Sequence, residues 1–555
     1  MARLIKYYSI VVLMAFLSGC ANMQAPGGGE VDRIPPQIVS VSPENGQRMF
    51  NYKEIEFTFS EYVDKRTFKD AIFVSPSLEK GFDVKWSGKT AILKFNEELK
   101  PDITYNITIG TSVTDLNNNN NMAVAYSYIF STGDVIDKAT VSGKIYDKDP
   151  NKIFVFAYLL GTPGDSILKR KPDFVTQVGS TGEFRLSGLP KGDFRFFAVG
   201  NAFGDLIYNL NSDRIGIYNK DVTLSQNDTL REKLNFFMTK FDTIPPVLQK
   251  AVMTDINHVL LSFNEDIAIS SIESANISFI DSVSNGLIKP LFVYCPGGKK
   301  SEAVVSVTGN IKKESALAVE ITGVKDIFGN TASKMRMEVP ISEKRDTIPV
   351  SISQIEPVDL NNIMPVFPEF TVKLDDGVDP LKVISAITVS DTSKKLVKTK
   401  ISRVDDAIYK VTVEQKLEPL TEYFLKINTA ELTDAAGNMR DTLLQSKFTT
   451  YNSINFTGLS GTIKGVAGKY LVELSDVEKG DRVYKTVLQP DGKFEFVDLL
   501  PGKYNLRLFE DKRGDKEYFF GLLFPFEHSA KFFVHPFVIE LIPRWVTFDF
   551  KWNVD

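Results

Sequence analysis

Leu99-Lys100-Pro101-Asp102-Ile103-Thr104-Tyr105-Asn106-Ile107-Thr108-Ile109 sets a proline just ahead of an alternating run. Proline fixes φ and lacks an amide proton, so it suits a turn or strand edge and not a central strand. The stretch recurs as Leu417-Glu418-Pro419-Leu420-Thr421-Glu422-Tyr423-Phe424-Leu425-Lys426-Ile427, with the same Pro-to-Tyr spacing. A turn-and-strand unit that returns far along the chain is the mark of repeated domains.

Working outward, three segments open on Asp-x-Ile-Pro: Asp32 to Pro35, Asp242 to Pro245 and Asp346 to Pro349. Alternating strands follow, Ile55-Glu56-Phe57-Thr58-Phe59 before Ser60-Glu61 and Val259-Leu260-Leu261-Ser262-Phe263 before Asn264-Glu265. Each segment closes on an Asp-x-x-x-Asn turn, at Asp115 to Asn119, Asp326 to Asn330 and Asp434 to Asn438. Gly, Asn and Asp tolerate positive φ and cap turns with their own side chains. A last strand follows, Tyr126 to Phe130 in the first repeat and Ser446 to Thr450 in the third. Short alternating strands between regular turn signals predict an immunoglobulin-like sandwich in each.

A second repeat occurs twice. Thr181-Gly182-Glu183-Phe184 through Gly192-Asp193-Phe194 matches Asp491-Gly492-Lys493-Phe494 through Gly502-Lys503-Tyr504, and the register extends to Gly204-Asp205 and Gly514-Asp515. Each copy begins with a Ser-Gly strand, Thr140-Val141-Ser142-Gly143-Lys144-Ile145 or Leu459-Ser460-Gly461-Thr462-Ile463.

The first pattern resembles bacterial Ig-like domains of the S-layer-associated type, over 34–133, 243–341 and 347–450, the middle one being the most divergent because it lacks the Leu-x-Pro…Tyr signature. The second resembles the carboxypeptidase-regulatory-like, prealbumin-like β-sandwich, over 138–241 and 455–555. The expected fold class is all-β, tandem Ig-like and prealbumin-like sandwiches in a row. These resemblances imply structural or binding modules and no chemistry.

Arg3 and Lys6 precede a short apolar run that ends in Leu17-Ser18-Gly19-Cys20. A basic start, an apolar core and small residues form a secretory signal. The run is shorter than the ~20 residues a spanning helix needs. The stretch resembles the lipobox of bacterial lipoproteins, which implies a signal peptide over 1–19, lipid attachment at Cys20 and a flexible tether over 20–33. Ala21 at the following position implies the outer membrane in that family. Cys20-Ala21-Asn22, Pro26-Gly27-Gly28 and Asp32…Pro35-Pro36 together resemble Bacteroidetes-type outer-membrane lipoproteins.

Composition narrows the function. The 555 residues carry a net charge of -5, which supplies no basic field for nucleic acid. An apolar fraction of 43% is ample for several cores. With Cys20 acylated, Cys295 in Phe292-Val293-Tyr294-Cys295 lacks a disulfide partner and reads as a buried small hydrophobe. Three histidines, His258, His528 and His535, leave little material for zinc or His-based catalysis. Gly-x-Ser-x-Gly, His-Glu-x-x-His and phosphate-loop motifs are absent from the sequence. The expectation is therefore a non-enzyme with no catalytic residues, no metal and no cofactor.

Three further patterns carry alternatives. Asp147-Lys148-Asp149 and Asp511-Lys512-Arg513-Gly514-Asp515 supply carboxylates but not a complete calcium loop, and turn formation competes with that reading. Arg513-Gly514-Asp515 spells an integrin-binding tripeptide, yet the other copy has Phe203-Gly204-Asp205 in register, so Gly-Asp reads as a turn element. Asp-Ser/Thr-aliphatic triplets at Asp165, Asp228, Asp242, Asp281, Asp346 and Asp441 are similar to the O-glycosylation sequon of exported Bacteroidetes proteins, against a plain turn-to-strand reading.

The final domain is rich in aromatics, and Phe519, Phe520, Phe524 and Phe526 are the candidate partner contacts, on a hydrophobic loop with Pro525. Phe548, Phe550 and Trp552 alternate with Asp549 and Lys551 and are expected on one sheet face. The functional expectation is a lipid-anchored scaffold on the outer membrane, an accessory subunit docking on an outer-membrane protein complex for β-barrel assembly, export or uptake. The alternative is a surface lipoprotein that binds glycan, or an adhesin. The outward face of the membrane is favoured over the periplasmic one, and no nucleic acid is expected.

Overall fold

A computed structural model describes residues 31–554 apart from 151, 162–166, 202–203, 226–229, 274–275, 285, 309–310, 312–315 and 481. Cys20, the signal peptide, most of the tether, and the Asp165 and Asp228 triplets thus lie wholly or partly outside the described residues. The chain is all-β in tandem sandwiches, and it divides into two compact units, 1–208 with 220–238 and 209–219 with 239–555.

In the first unit, a sheet in the order Ile38–Ser42, Glu54–Phe59, Thr90–Phe95, Phe82–Ser87 packs on a sheet of Ile72–Ser75, Thr104–Ile109 and Tyr126–Ser131. Strict alternation puts Ile55, Phe57 and Phe59 inward, where they share one core with Leu93, Ile107 and Phe130. The second unit repeats this topology twice, with a fourth strand added to the second sheet. Sheets Leu248–Asp255/His258–Phe263/Glu302–Val307/Pro290–Tyr294 and Gly286–Ile288/Ile277–Asp281/Leu317–Ile321/Met335–Val339 form the first copy. The other comprises Ile352–Glu356/Glu369–Leu374/Ile408–Val413/Thr399–Arg403 and Leu396–Val397/Ile387–Asp391/Glu422–Asn428/Leu443–Thr449.

The Leu-x-Pro…Tyr signature has a physical cause. The Tyr105 hydroxyl accepts the Lys100 amide at 3.0 Å, and the Tyr423 hydroxyl accepts the Glu418 amide at 3.0 Å. Each ring stacks on the last strand, Tyr105 on Phe130 at 5.4 Å and Tyr423 on Phe448 at 5.6 Å. Thr132 and Thr450 complete the corner by donating to the Lys100 and Glu418 carbonyls. One tyrosine thereby ties a proline turn to two strands, as tyrosine corners do. Tyr423→Phe should cost about 1 kcal/mol, because it leaves a part-buried amide unpaired while keeping the ring. Urea denaturation followed by hydrogen exchange of 417–425 measures it.

The opening and closing motifs meet. Asp32, Asp242 and Asp346 each accept the amide two residues on, at 2.9, 2.9 and 3.0 Å. Their backbone carbonyls accept the closing asparagine side chain: Asn120 at 3.1 Å, Asn330 at 2.9 Å and Asn438 at 3.4 Å. The first turn thus closes on Asn120 and not on Asn119, one residue later than the sequence spacing implied. Asn119 instead takes the left-handed position, φ 58°, that Gly329 and Gly437 occupy at 91° and 87°. Asparagine is the non-glycine residue best suited to that conformation, which explains the asparagine run.

Strand Thr104–Ile109 is buried on both faces, whereas its counterpart Glu422–Asn428 alternates. The following sandwich covers its polar face. Asn106 donates to the Ser187 carbonyl at 2.5 Å, Thr111 to the Val178 carbonyl at 3.1 Å, and Phe73 meets Phe154 edge-on at 5.2 Å.

The two other sandwiches are copies of each other. Glu183–Leu189, Ala139–Tyr146 and Phe236–Phe237 form a three-stranded sheet, as do Lys493–Leu499, Thr457–Lys464 and Val546–Asn553. In both, the final strand runs parallel to the Ser-Gly strand. A Cβ on Gly143 would sit 2.0 Å from the Leu234 carbonyl oxygen, and one on Gly461 2.1 Å from that of Phe550. The Ser-Gly signature exists because the last strand's backbone occupies the side-chain position.

The expected common face of Phe548, Phe550 and Trp552 is broken. Leu459 pairs with Thr547 but Gly461 pairs with Phe550, so one extra residue bulges out at 548–549, with Asp549 at φ 57°. A bulge resets the alternation. Phe548 is 68% exposed, while Trp552 enters the core.

Candidate functional site

The aromatic loop of the last domain is only partly a surface. Phe519 is 7% exposed, with the Arg513 guanidinium 3.9 Å and the Lys512 ammonium 5.2 Å from its ring centre. Such cation–π contacts hold the ring in place. Phe519 is therefore a core residue and not an outward contact, and Arg513 of the Arg-Gly-Asp run is engaged by it. Phe520 and Phe526 are half-buried, and Phe524 alone of the four is open, at 60%. The hairpin Leu522–Leu523/Phe526–Glu527 sits beside the segment 209–219, where His528 Nδ1 lies 3.0 Å from the Tyr218 carbonyl oxygen. Phe537, Trp545 and Phe548 are exposed as well, although the sequence reading did not name them as partner contacts.

The acidic turns use their carboxylates locally. Asp147 accepts the Asp149 amide at 2.8 Å, Asp511 the Lys516 amide at 3.1 Å and Asp515 the Glu517 amide at 3.0 Å.

Chemistry-bearing side chains converge elsewhere, at the ends of the Ig-like repeats. The opening Asp, an acid just after the second strand and the turn Asp approach one another: Asp32, Glu61 and Asp115 in the first, Asp242, Glu265 and Asp326 in the second. Burial, then the neighbouring carboxylates, raise Glu61 and Glu265 above the ordinary range. In both clusters the turn Asp spends its second oxygen on the closing asparagine, at 2.8 and 2.6 Å.

The third cluster differs, and it lies where two sandwiches of the second unit join. Asp346 and Asp376 are gathered with His258, which comes from the preceding repeat. His258 Nδ1 is 2.9 Å from Asp255 and its Nε2 is 3.2 Å from Asp376, which also accepts the Tyr294 hydroxyl at 3.1 Å. Burial opposes a charge on His258, but its hydrogen bonds to the Asp255 and Asp376 carboxylates outweigh it and push its pKa up to about 10. Beside it, Asp406 accepts the Val293 amide at 2.7 Å and Asp405 the Cys295 amide at 3.0 Å, so two carboxylates of one sandwich bind the edge strand of the other. Tyr294 stays paired with Val304 in its own sheet, but its side chain joins the core of the next sandwich, the cluster that holds Val372 and Tyr409. Cys295 is buried, and burial followed by Asp405 pushes its thiol up to about 12, so it is an unreactive packing residue as expected. No sequence motif announced this joint. The one available signal was the pair Asp405-Asp406 in a strand turn, which local reasoning reads as solvent-facing.

Two segments, 32–132 and 346–450, match the bacterial Ig-like domain family. A search of curated proteins finds no match. Among solved structures, the chain is similar to the N-terminal part of the bacterial S-layer protein SbsC at 10% identity and TM-score 0.17, covering 38% of this chain and 45% of that one. It thus spans less than half the length of that protein. It is also similar to surface layer protein SbsC, domains 1-6, at 10% identity and TM-score 0.16, over 92% and 68% of the two chains. An L,D-transpeptidase from Mycobacterium smegmatis is similar at 13% identity and TM-score 0.16, over 27% and 76%. Overlaps this weak carry no functional information, and the sandwich fold rests on the strand topology and the family match.

Proposed function

We propose that the chain is a non-catalytic surface scaffold, lipid-anchored at Cys20 to the outer membrane, serving as an accessory subunit of an outer-membrane protein complex. The observation that carries this reading is the construction of the joints. Inside each unit, neighbouring sandwiches share buried contacts, Asn106 with Ser187 in the first and Tyr294 with Asp376 in the second. Buried, hydrogen-bonded joints hold modules at a set spacing, which suits presentation of a surface and not turnover of a substrate. The exposed aromatics of the last domain, Phe524, Phe537, Trp545 and Phe548, are the surface presented to a partner. The second reading, glycan binding, draws on Trp545, an indole 70% exposed and able to stack on a sugar ring.

A mild-detergent pull-down from the native host through a C-terminal tag tests the reading. A stoichiometric outer-membrane protein is expected. Recovery of the chain alone, together with retardation in polysaccharide gels that Trp545→Ala abolishes, would shift the reading to glycan. The anchor has its own test: Cys20→Ser should move the protein from the membrane to the soluble extracytoplasmic fraction, measured by fractionation and by acyl mass on the N-terminal peptide.

A further inference from the structure

The joint between the second and third Ig-like sandwiches holds more negative charge than its one imidazole answers. We propose that it is a binding site for a divalent first-row metal ion, of the Zn²⁺ or Mn²⁺ class, held by His258, Asp346 and Asp376. His258, Asp346 and Asp376 each offer a ligand atom, all within 4.8 Å of one another. The 3.2 Å from His258 Nε2 to Asp376 suits two neighbouring ligands on one ion, since atoms bound at ~2.1 Å lie about 3 Å apart.

Two independent features point to a ligand. First, Asp434 is 6% exposed and its Oδ2 has no hydrogen-bond partner among the described residues, whereas its counterparts Asp115 and Asp326 are satisfied by asparagine. Here Asn438 donates to Asp346 instead, at 3.4 Å to its carbonyl and 3.3 Å to its carboxylate. Second, Asp255 grips His258 Nδ1 at 2.9 and 3.1 Å. A carboxylate on the far nitrogen is the arrangement that orients a metal-bound imidazole. One nitrogen among oxygens favours a borderline transition ion over Ca²⁺, which takes oxygen ligands alone. The ion would replace the Nε2 proton and tie the two sandwiches together, with ligands from both.

The test uses the full-length chain, stripped with chelator and dialysed against Zn²⁺, Mn²⁺ or Ca²⁺ separately, with metal content read by mass spectrometry and thermal melting read alongside. One Zn²⁺ or Mn²⁺ per chain is expected, with the thermal transition of the two joined sandwiches shifted upward. Asp434→Asn and His258→Gln should each weaken binding about 10–100-fold, while Glu265→Gln in the neighbouring cluster leaves it unchanged. Asp346→Asn provides the same test should His258→Gln fail to fold, because an asparagine keeps the bond to the Ile348 amide. Folded wild-type protein that retains no ion, uptake indifferent to Asp434→Asn and Asp346→Asn, or a preference for Ca²⁺ would each overturn the proposal.

Discussion

Tyr294→Ala is expected to loosen the joint between the second and third Ig-like sandwiches and to lower the stability of the third. The ring belongs to one sandwich by sequence and to the next by packing. Truncation leaves a cavity in a core that cannot follow the missing side chain, a loss of about 3–5 kcal/mol. It also removes the hydroxyl that donates to Asp376. Tyr294→Phe separates the two effects, since it keeps the ring and should cost about 1 kcal/mol. A chain of several domains has no single unfolding midpoint, so hydrogen exchange resolved by segment is the suitable measurement. Exchange should speed up over 370–378 and 403–413 in the alanine variant and remain near wild type over 38–131. Uniform acceleration, or none, would contradict the placement of this ring.

The second large effect is expected at Gly461. An alanine there would need its Cβ 2.1 Å from the backbone oxygen of Phe550 and 2.7 Å from the Phe550 Cβ. Backbone cannot step aside as a flexible side chain does, so the parallel pairing of Thr457–Lys464 with Val546–Asn553 must break. A cost at the upper end of overpacking, about 3 kcal/mol or more, is expected. Released, the last strand would free Trp552 from the core. Protease cleavage after 541 and a rise in tryptophan exposure measure this. Gly143→Ala is expected to act in the same manner on the first copy, where the Leu234 carbonyl is the obstacle. A wild-type-like Gly461→Ala protein would show that the two strands do not approach as described.

Much of the fold was legible along the chain because its cause is local. The Leu-x-Pro…Tyr corners, the Asp-x-Ile-Pro openings and the Ser-Gly strands each encode a contact made within one sandwich, so each repeats whenever the sandwich does. Alternation located the core residues of Glu54–Phe59 for the same reason. Where pairing between distant strands intervened, the reading failed: a single extra residue at 548–549 turned Phe548 outward, and only the register against Leu459 and Gly461 reveals it.

The sequence by itself therefore determined the all-β class, the existence of repeats and their internal corners, because short-range turn chemistry and period-two burial depend on neighbours in the chain. The tertiary structure alone decided which polar residues are interior. Thr104, Asn106 and Thr108 read as a solvent face until the next sandwich covers them. Phe519 reads as a sticky surface until Arg513 folds over it. Asp376, Asp405 and Asp406 read as turn acids until His258, Tyr294 and the amides of a neighbouring strand arrive from more than 80 residues away. Burial of a polar group is a property of what packs against it, and that partner is not written in the residues on either side.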